Sequence, residues 1–487
     1  MAEGIPNGTD EGAADRGEPD IKENGLNSKG RILKGAGIFV VLFLLYVVIS
    51  GIVPPLFHKE ADLKTSLSGE TNADTQERIL CVDDNREALI WRLRMIEAAE
   101  EEIVLSTFDF RADNSGQDMM AALLNAAQRG VNVRVIIDGI SGTFYLQCNR
   151  IFQAFASHPN IQVRFYNPIN LLTPWKLNYR LHDKYLIVDD AFYILGGRNT
   201  NDLFLGEYQE KYNVDRDVLV CSGKGSGSVS QVKDYFTQIW GLPCCKQLAF
   251  CSEKYGKELK RLEEHYEELL KQYPETSLPI DWQTETIEAE SVHLLTNPIE
   301  PENKKPKLWE QLCLVMRQGK QIIIETPYII CDDAMYDALT GLCDEGRQIQ
   351  IIVNAVESGA NPFGCTDYLN EKDNILRTGS EVFELMAGQS LHTKTVLADD
   401  RISVIGSYNL DIRSTYLDTE LMLVIDCPQL NDMLRKDAAA KMDMSRHVMP
   451  DGTESPGINF REKEMPFFRQ ISSEMLKIFS GLFRHLL

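Results

Sequence analysis

Two stretches of the chain carry, at the same spacing, residue types that could bind and cleave an anionic ester. Each has a histidine, a lysine two positions on, an aspartate, a pair of small residues and an asparagine. The first copy consists of His182, Lys184, Asp189, Gly196, Gly197 and Asn199. The second consists of His392, Lys394, Asp399, Gly406, Ser407 and Asn409. All the intervals agree between the copies, so chance is a poor explanation.

Alternation along a strand brings the reactive residues of each copy together. Residues two apart in an extended strand point to the same face, so His182 and Lys184 share a face, as do His392 and Lys394. The glycines and Ser407 leave room for a substrate to approach the backbone. Each copy therefore supplies an imidazole, an ammonium group and an amide. If two lobes pack about a pseudo-twofold axis, the two sets meet across one cleft.

Two histidines, two lysines and two amides suit a phosphodiester. The lysines and amides can hold the non-bridging oxygens and stabilise the charge of the transition state. One histidine can attack phosphorus to give a phosphohistidine, while the other protonates the leaving oxygen and later deprotonates the acceptor. The residues do not decide which histidine is which. We expect no metal or other cofactor, because lysine supplies the positive charge.

An acidic residue recurs after each motif. Asp217 directly precedes one apolar strand and Glu420 precedes the corresponding one, so we expect these acids to bond the ring nitrogens and orient the histidines. Asp189 and Asp399 end a strand, and we expect them to bind turn backbone instead. Gly196, Gly197, Gly406 and Ser407 are predicted to be structural.

The elements around the motifs also repeat. Each half alternates apolar strands with amphipathic helices, and the helix–Gly–strand segment 118–138 corresponds to 333–354. The predicted fold class is α/β. It consists of two tandem β/α/β lobes related by a pseudo-twofold axis, each with a parallel or mixed sheet, behind one N-terminal membrane helix.

The composition divides the chain into five segments. They are a disordered tail (1–34), a transmembrane helix (35–57), a linker (58–78), a first lobe (79–275) and a second lobe (276–487). No charged residue occurs in 35–57, and at 1.5 Å per residue such a helix is about 34 Å long, enough to cross a bilayer core. A cleaved signal peptide is the alternative interpretation. The second lobe ends in an amphipathic stretch, 466–487, which we expect either on the membrane surface or docked on the lobe.

The net charge and the composition limit the kinds of binding partner and the location that we expect for the protein. A net charge of −22 argues against a nucleic-acid binder, which would need a basic stripe. Basic residues are somewhat more frequent before the apolar segment than after it. They predict a single-pass cell-membrane protein with its lobes on the extracytoplasmic side. The 11 cysteines are interpreted mainly as small buried residues, with a disulfide among Cys244, Cys245 and Cys251 as a minor alternative.

At these motifs the chain resembles the phospholipase D superfamily, whose mark is a duplicated His-x-Lys-x4-Asp followed by Gly-Gly/Ser-x-Asn. The segments 180–184, 195–202 and 405–414 look like its cardiolipin synthase-like branch. The resemblance implies that His182 is the nucleophile and His392 the general acid. It also implies that Lys184, Lys394, Asn199 and Asn409 belong to the site, and that the family's acids correspond to Asp217 and Glu420.

The resemblance and the apolar segment together imply a membrane-anchored phosphatidyltransferase that makes cardiolipin and glycerol from phosphatidylglycerol. Its expected partner is a phospholipid membrane, and the sequence names no protein partner. The alternative is hydrolysis of phospholipids to phosphatidic acid by the same first half-reaction. A nuclease is less favoured, because the protein is acidic.

Overall fold

The computed structural model describes residues 21–57, 77–222, 227–302, 304–465, 470–471, 475–477, 481 and 483–486. The chain divides into two compact units, Met1–Ser50 and Gly51–Leu487. Helix α1 (Ile21–Ile52) makes up the described part of the first unit. By length and composition, Ala36–Leu56 qualifies as a candidate membrane span.

The N-terminal predictions are only partly covered by the described residues. Of the predicted tail, 1–20 lies outside them, and 21–34 forms the first part of α1. Adding residues to an existing helix is much easier than starting one, which explains the extension from the apolar segment. Of the predicted linker, 58–76 lies outside the described residues, and the next strand already begins at Glu77.

The first lobe begins with a strand and then alternates strands with helices. Its elements in chain order are β1 (Glu77–Val82), α2 (Asn85–Glu97), β2 (Glu102–Thr107), α3 (Asn114–Gln128), β3 (Asn132–Asp138), α4 (Gly139–Ser141), α5 (Arg150–Phe155), β4 (Ile161–Tyr166), β5 (Tyr185–Val188), β6 (Phe192–Gly196), β7 (Asn213–Val214), β8 (Asp217–Cys221), α6 (Gly227–Trp240), β9 (Cys245–Gln247), α7 (Gly256–Gln272), α8 (Trp282–Glu285) and β10 (Ile287–Ala289).

The second lobe repeats this order. Its elements are β11 (Ser291–Thr296), α9 (Lys307–Gln318), β12 (Gln321–Glu325), β13 (Ile329–Ile330), α10 (Asp333–Asp344), β14 (Gln348–Asn354), α11 (Pro362–Arg377), β15 (Glu381–Leu385), β16 (Ser390–Leu391), β17 (Thr395–Ala398), β18 (Ile402–Gly406), β19 (Leu410–Asp411), α12 (Ile412–Tyr416), β20 (Leu421–Asp426), α13 (Pro428–Asp443), β21 (Ser445–Val448) and β22 (Glu454–Pro456).

Each lobe is built on a nine-stranded mixed sheet. The strand orders are β10-β1-β8-β6-β5-β2-β3-β4-β9 and β11-β20-β18-β17-β12-β14-β15-β21-β22. The strands β2-β3-β4 and β12-β14-β15 are parallel, and their neighbours on both sides run antiparallel. Apart from the terminal strands β10 and β22, each strand has a counterpart at the same place in the other sheet. The predicted α/β fold with two similar lobes is therefore confirmed.

The chain passes from one sheet to the other at Glu290, later than the boundary predicted between 275 and 276. Strand β10 still belongs to the first sheet, because Ile287–Ala289 pairs antiparallel with β1. Strand β11 starts one residue later and pairs with β20 of the second sheet. A Pro-containing, charged stretch that looks like a linker thus completes the edge of the first sheet.

Both faces of each sheet are buried, which explains the continuously apolar strands. In β5, Leu186 and Val188 pack against α2, α3, α5 and α7, while Tyr185 and Ile187 point to the opposite face. That opposite face, its counterpart in the second sheet and helices α6 and α13 share one apolar core. Helices α9, α10 and α11 cover the outer face of the second sheet. The shared core fixes the two lobes relative to each other.

The chain between β3 and β4 is helical only in short pieces: a single π turn, Gly142–Leu146, precedes the short α5. The predicted C-terminal helix falls mostly outside the described residues. Within the described part, Arg484 donates to Oδ1 of Asp367 at 3.0 Å, a contact with the second lobe.

Candidate active site

The two motif histidines each bond to an acid of the other lobe. Nδ1 of His182, in the first lobe, lies 2.7 Å from Oε1 of Glu420 in the second. Nδ1 of His392, in the second lobe, lies 2.5 Å from Oδ2 of Asp215 in the first. Both acids are fully buried. Because the pairs cross between the lobes, the acid that bonds each histidine comes from the other repeat.

Backbone pairing across the lobe boundary holds this arrangement. The amide of His182 donates to Oγ1 of Thr419 at 3.2 Å, and the amide of Thr419 donates to the carbonyl of Arg180 at 2.9 Å. In the other half, the amide of His392 donates to the carbonyl of Val214 at 2.7 Å, next to the parallel pair β7–β16. Each histidine therefore sits beside the segment that carries its acid.

Asp217 does not have the position expected of it. Its carboxylate accepts hydrogen bonds from Arg92 at 2.9 Å and from Arg198 at 3.3 Å, within the first lobe. Asp215, two residues earlier, is the acid that bonds a histidine. The predicted histidine-orienting role of Asp217 is therefore wrong.

The strand register explains the error. Gly196 is paired with Asp217, whereas the equivalent Gly406 is paired with Met422. Asp217 therefore corresponds to Met422, and Asp215 corresponds to Glu420. The loops from the Gly pair to the acid differ in length between the copies, so counting along the chain could not reveal this. The Asp-x-Asp pattern at 215–217 was the signal available.

The small residues of the motifs make room for these acids. A Cβ on Gly197 would lie 2.2 Å from Oδ1 of Asp215, so no larger residue fits there. The equivalent Ser407 has a side chain, and its hydroxyl donates to Oε2 of Glu420. Glu420 also accepts a hydrogen bond from Ser414 at 2.7 Å. The difference between Gly-Gly and Gly-Ser thus follows from which acid each residue faces.

Both motif lysines are buried beside their histidines. Nζ of Lys184 donates to the carbonyl of His182 at 2.5 Å, and Nζ of Lys394 lies 3.2 Å from Nε2 of His392. Burial lowers the pKa of Lys184 to about 7 and that of Lys394 to about 8, although Glu420 and Asp215 oppose the shifts. The positive charge of each lysine also lowers the pKa of the other lobe's histidine. This mutual influence brings the two motifs into one electrostatic cluster.

The two histidine–acid pairs are not electrostatically equal. Burial would raise the pKa of Asp215, but Lys394 and His392 outweigh it and lower it to about 2. Burial raises the pKa of Glu420 to about 8, against the opposing effect of Lys184. Burial and Lys184 lower the pKa of His182 well below its usual range, and burial and Lys394 lower that of His392 to about 4. Both imidazoles are therefore neutral near pH 7.

The motif asparagines, Asn199 and Asn409, are buried and lie just after strands β6 and β18, respectively. Oδ1 of Asn199 accepts from the amide of Asp109 at 3.3 Å. Nδ2 of Asn409 donates to the hydroxyl of Tyr328 at 3.2 Å, and among the described residues its Oδ1 has no hydrogen-bond partner. Phe108 and Phe204 present ring edges to His182 and His392, with centroids 5.1 and 4.9 Å apart.

Asp189 and Asp399 bind backbone far from the histidines. Asp189 accepts from the amides of Glu100, Glu101 and Glu102 at 2.7–2.8 Å, at the start of β2. Asp399 does the same at the start of β12, accepting from the amides of Lys320 and Gln321 at 2.8 Å. The backbone they bind thus belongs to the neighbouring strand rather than to their own turn. Cys244, Cys245 and Cys251 are not joined by a disulfide.

Comparison with known proteins agrees with this geometry. Residues 93–240 and 312–442, more than half of the chain, match the family model "Cardiolipin synthase, PLD-like domain". Cardiolipin synthase C of Escherichia coli K12 is 28% identical over 75% of this chain and 86% of its own length. The cardiolipin synthase of Oceanobacillus iheyensis is 24% identical over 76% and 70%, respectively. An uncharacterised protein of Helicobacter pylori 26695 is 24% identical over 82% and 88%.

A solved structure shares the fold. The phosphatidylserine synthase of Haemophilus influenzae Rd KW20 superposes with a TM-score of 0.58 at 17% identity, covering 85% of this chain and 98% of its own. Two lobes with duplicated His–Lys motifs facing each other define an enzyme of the phospholipase D superfamily. Within it, the chain belongs to the cardiolipin synthase-like branch, the phosphatidyltransferases among these enzymes.

Proposed function

We propose that this protein transfers a phosphatidyl group from one phosphatidylglycerol molecule to another, giving cardiolipin and glycerol through a phosphohistidine. The crossed pairs His182–Glu420 and His392–Asp215 carry this proposal. They provide two oriented imidazoles and two buried lysines in one cluster, which matches the needs of a two-step phosphodiester exchange. The named cardiolipin synthases among the relatives supply the substrate class.

In the first step, Nε2 of His182 attacks phosphorus and the bond to the glycerol headgroup breaks. His182 suits this role because its pKa is low, so the ring is neutral, and its Nδ1 is held by Glu420, which leaves the lone pair on Nε2. His392 donates a proton to the departing glycerol oxygen, so glycerol leaves as a neutral alcohol.

In the second step, the hydroxyl of another phosphatidylglycerol attacks the phosphohistidine. His392, now neutral, takes the hydroxyl proton, the phosphorus–nitrogen bond breaks, and cardiolipin forms as His182 is regenerated. The His392 side chain is 20% exposed and that of His182 is 11% exposed. The more accessible imidazole is the better placed to exchange protons with successive alcohols.

The charges of Lys184 and Lys394 act both on the protonation of His392 and on the bound phosphate. Their positive charge favours the neutral form of His392, but a bound phosphate anion offsets that charge and favours the imidazolium form. The substrate therefore brings His392 into its proton-donating state. The same ammonium groups, with the amides of Asn199 and Asn409, hold the non-bridging oxygens as charge develops on them.

Turnover in phosphatidylglycerol vesicles tests the reaction. We expect cardiolipin and glycerol to appear in equal amounts, and His182→Ala and His392→Ala to abolish both. His293→Ala is the matched control, because His293 lies outside both motifs, and it should retain activity. Phosphatidic acid without cardiolipin would contradict the transfer and support hydrolysis instead.

Trapping tests the covalent step. With phosphorus-labelled phosphatidylglycerol, acid-labile and alkali-stable label should be recovered on His182 and be absent from His182→Ala. Label on His392 instead would reverse the assignment of the two histidines.

The chain's place in the cell is part of the proposal. The candidate span Ala36–Leu56 supports a single membrane anchor, and the charge bias supports extracytoplasmic lobes. Cys251 is exposed, so a membrane-impermeant maleimide should label it in intact cells. Labelling only after lysis would reverse the orientation.

A further inference from the structure

Two neighbouring loops of the first lobe expose large apolar side chains to solvent. We call them together the apolar loop surface: Phe144, Tyr145, Leu171, Leu172 and Trp175. Phe144 is 72% exposed and Leu172 is 73% exposed, far beyond what a residue packed in a lobe would show. Soluble proteins rarely leave adjoining apolar side chains uncovered, so such a surface indicates a partner.

Both loops leave the sheet at the edge where His182 lies. Asp138 ends β3, before the first loop, and its Oδ2 accepts from the amide of Leu181 at 3.1 Å. Asn167 follows β4, before the second loop, and its Nδ2 donates to the carbonyl of Tyr179 at 2.9 Å. A Cβ on Gly139 would lie 2.5 Å from Cα of Pro168, so the loops begin in contact. The apolar loop surface therefore adjoins the active site.

The charge of these loops identifies the kind of partner. In a chain with a net charge of −22, residues 139–149 and 168–179 contain no aspartate or glutamate, and Lys176 is exposed among them. A surface that joins apolar side chains to a positive charge, with a tryptophan at its edge, suits the headgroup region of an anionic bilayer.

The segment Gly51–Phe57 supplies a second, independent indication. Nδ2 of Asn178, in the second loop, donates to the carbonyl of Gly51 at 2.5 Å. Val53, Leu56 and Phe57 are exposed as well. These residues follow Ser50 in the chain and belong to the same compact unit as the two loops.

We propose that the apolar loop surface inserts into the anionic bilayer that holds the protein's own span, and so brings phospholipid from that bilayer to the His182 side of the site. The docking itself follows from the exposed side chains and the charge. Delivery of substrate rests on the proposed function.

Fluorescence quenching tests the docking without any assay of activity. Full-length protein would be placed in phosphatidylglycerol vesicles that contain lipids brominated on the acyl chains. Trp91, Trp240 and Trp309 are buried and Trp282 is half-buried, whereas Trp175 is exposed. We expect Trp175→Phe to remove most of the quenching. Equal quenching in both proteins would overturn the proposal, whether or not the enzyme makes cardiolipin.

A charged substitution tests the delivery of lipid. Leu172→Asp should lower the rate on vesicles about tenfold, because the side chain would no longer bury apolar surface in the bilayer. It should leave the rate on a monomeric, short-chain phosphatidylglycerol unchanged, since Leu172 is exposed and lies outside the active site. Ile458→Asp is the matched control: Ile458 is 88% exposed and lies far along the chain, in the second lobe. It should change neither rate.

The outcomes separate the two proposals. A wild-type protein that makes no cardiolipin but is quenched through Trp175 would overturn the proposed function and keep the docking. Leu172→Asp with wild-type activity on vesicles, or with equal losses on both substrates, would overturn the delivery of lipid. Self-association that Leu172→Asp abolishes, with no quenching of Trp175, would assign the surface to a second copy of the chain instead.

Discussion

Nδ1 of His392 lies 2.5 Å from Oδ2 of Asp215, although 177 residues and a lobe boundary separate them. The equivalent pair, His182 and Glu420, crosses the boundary in the opposite direction. Each half of the site is therefore incomplete without the other lobe, which gives the duplication a chemical reason.

Substituting the two neighbouring acids should separate catalysis from stability. Asp215→Asn removes the carboxylate that orients His392, so we expect kcat to fall on the order of 100-fold with the fold retained. Asp217→Asn leaves Arg92 and Arg198 buried and under-paired, so we expect it to destabilise the protein by about 3 kcal/mol. Denaturant unfolding and turnover of each variant check both. A catalytic loss in Asp217→Asn without destabilisation would contradict the register argument.

The space beside Asp215 gives a second prediction. Gly197→Ala places a Cβ 2.2 Å from Oδ1 of Asp215, so Asp215 must move and activity should fall with it. We expect a stability cost of about 1–3 kcal/mol as well. Gly341→Ala is the control: nothing lies within 4 Å of its Cβ, it is in α10, and it should gain about 0.5–1 kcal/mol. Unchanged activity in Gly197→Ala would show that Asp215 is not needed where it lies.

The lysines predict an alkaline limit to activity. Because burial lowers the pKa of Lys184 to about 7 and of Lys394 to about 8, their ammonium forms disappear at lower pH than those of ordinary lysines. We expect kcat/KM for a soluble phosphatidylglycerol to decline as pH rises through 7 to 8. This alkaline decline reflects the joint titration of the interacting groups of the site and not of one lysine alone.

The variant Glu420→Gln tests whether the lysines cause the alkaline decline in kcat/KM. Its negative charge raises the pKa of Lys184, so Glu420→Gln should move the decline to lower pH, besides lowering the rate. Asp400→Asn, outside the cluster, should leave the limb in place. A profile that stays flat to pH 9, or a limb that Glu420→Gln moves upward, would contradict this account.

A buried ion network joins the lobes next to the second motif. Arg216 donates to Glu325 at 3.0 Å, to Asp83 at 2.8 Å and to Asp437 at 2.6 Å, and Thr393 also donates to Glu325 at 3.0 Å.

Arg216→Met should destabilise the protein by about 3 kcal/mol, because it takes one cation away from the buried Glu325, which then depends on Lys441 at 3.0 Å. Arg401→Met is the control: Arg401 pairs with Glu290 and Asp426 at the surface and should cost at most about 1 kcal/mol. Thermal or denaturant unfolding measures both. Equal losses of unfolding free energy in the two variants would show that the buried network stabilises the protein no more than the surface ion pairs of Arg401 do.

The sequence by itself determined a great deal here. The identical spacing of the two motifs revealed the duplication. The periodicity of apolar residues predicted the α/β lobes, because strand alternation and helical periodicity are local properties of the chain. The repeated helix–Gly–strand segments 118–138 and 333–354 are present in the structure as α3–β3 and α10–β14. The uncharged segment before the lobes likewise marked a candidate span from composition alone.

Only the tertiary structure decided which acid serves which histidine. Asp215 and Asp217 lie two residues apart in the chain, and which of them meets His392 depends on the pairing of β8 with β6, a contact that no local pattern encodes. The crossing of the pairs between lobes, the place of β10 in the first sheet and the lowered lysine pKa values likewise depend on packing. They arise from which surfaces are buried against each other, and that is settled only when the two lobes close around their shared core.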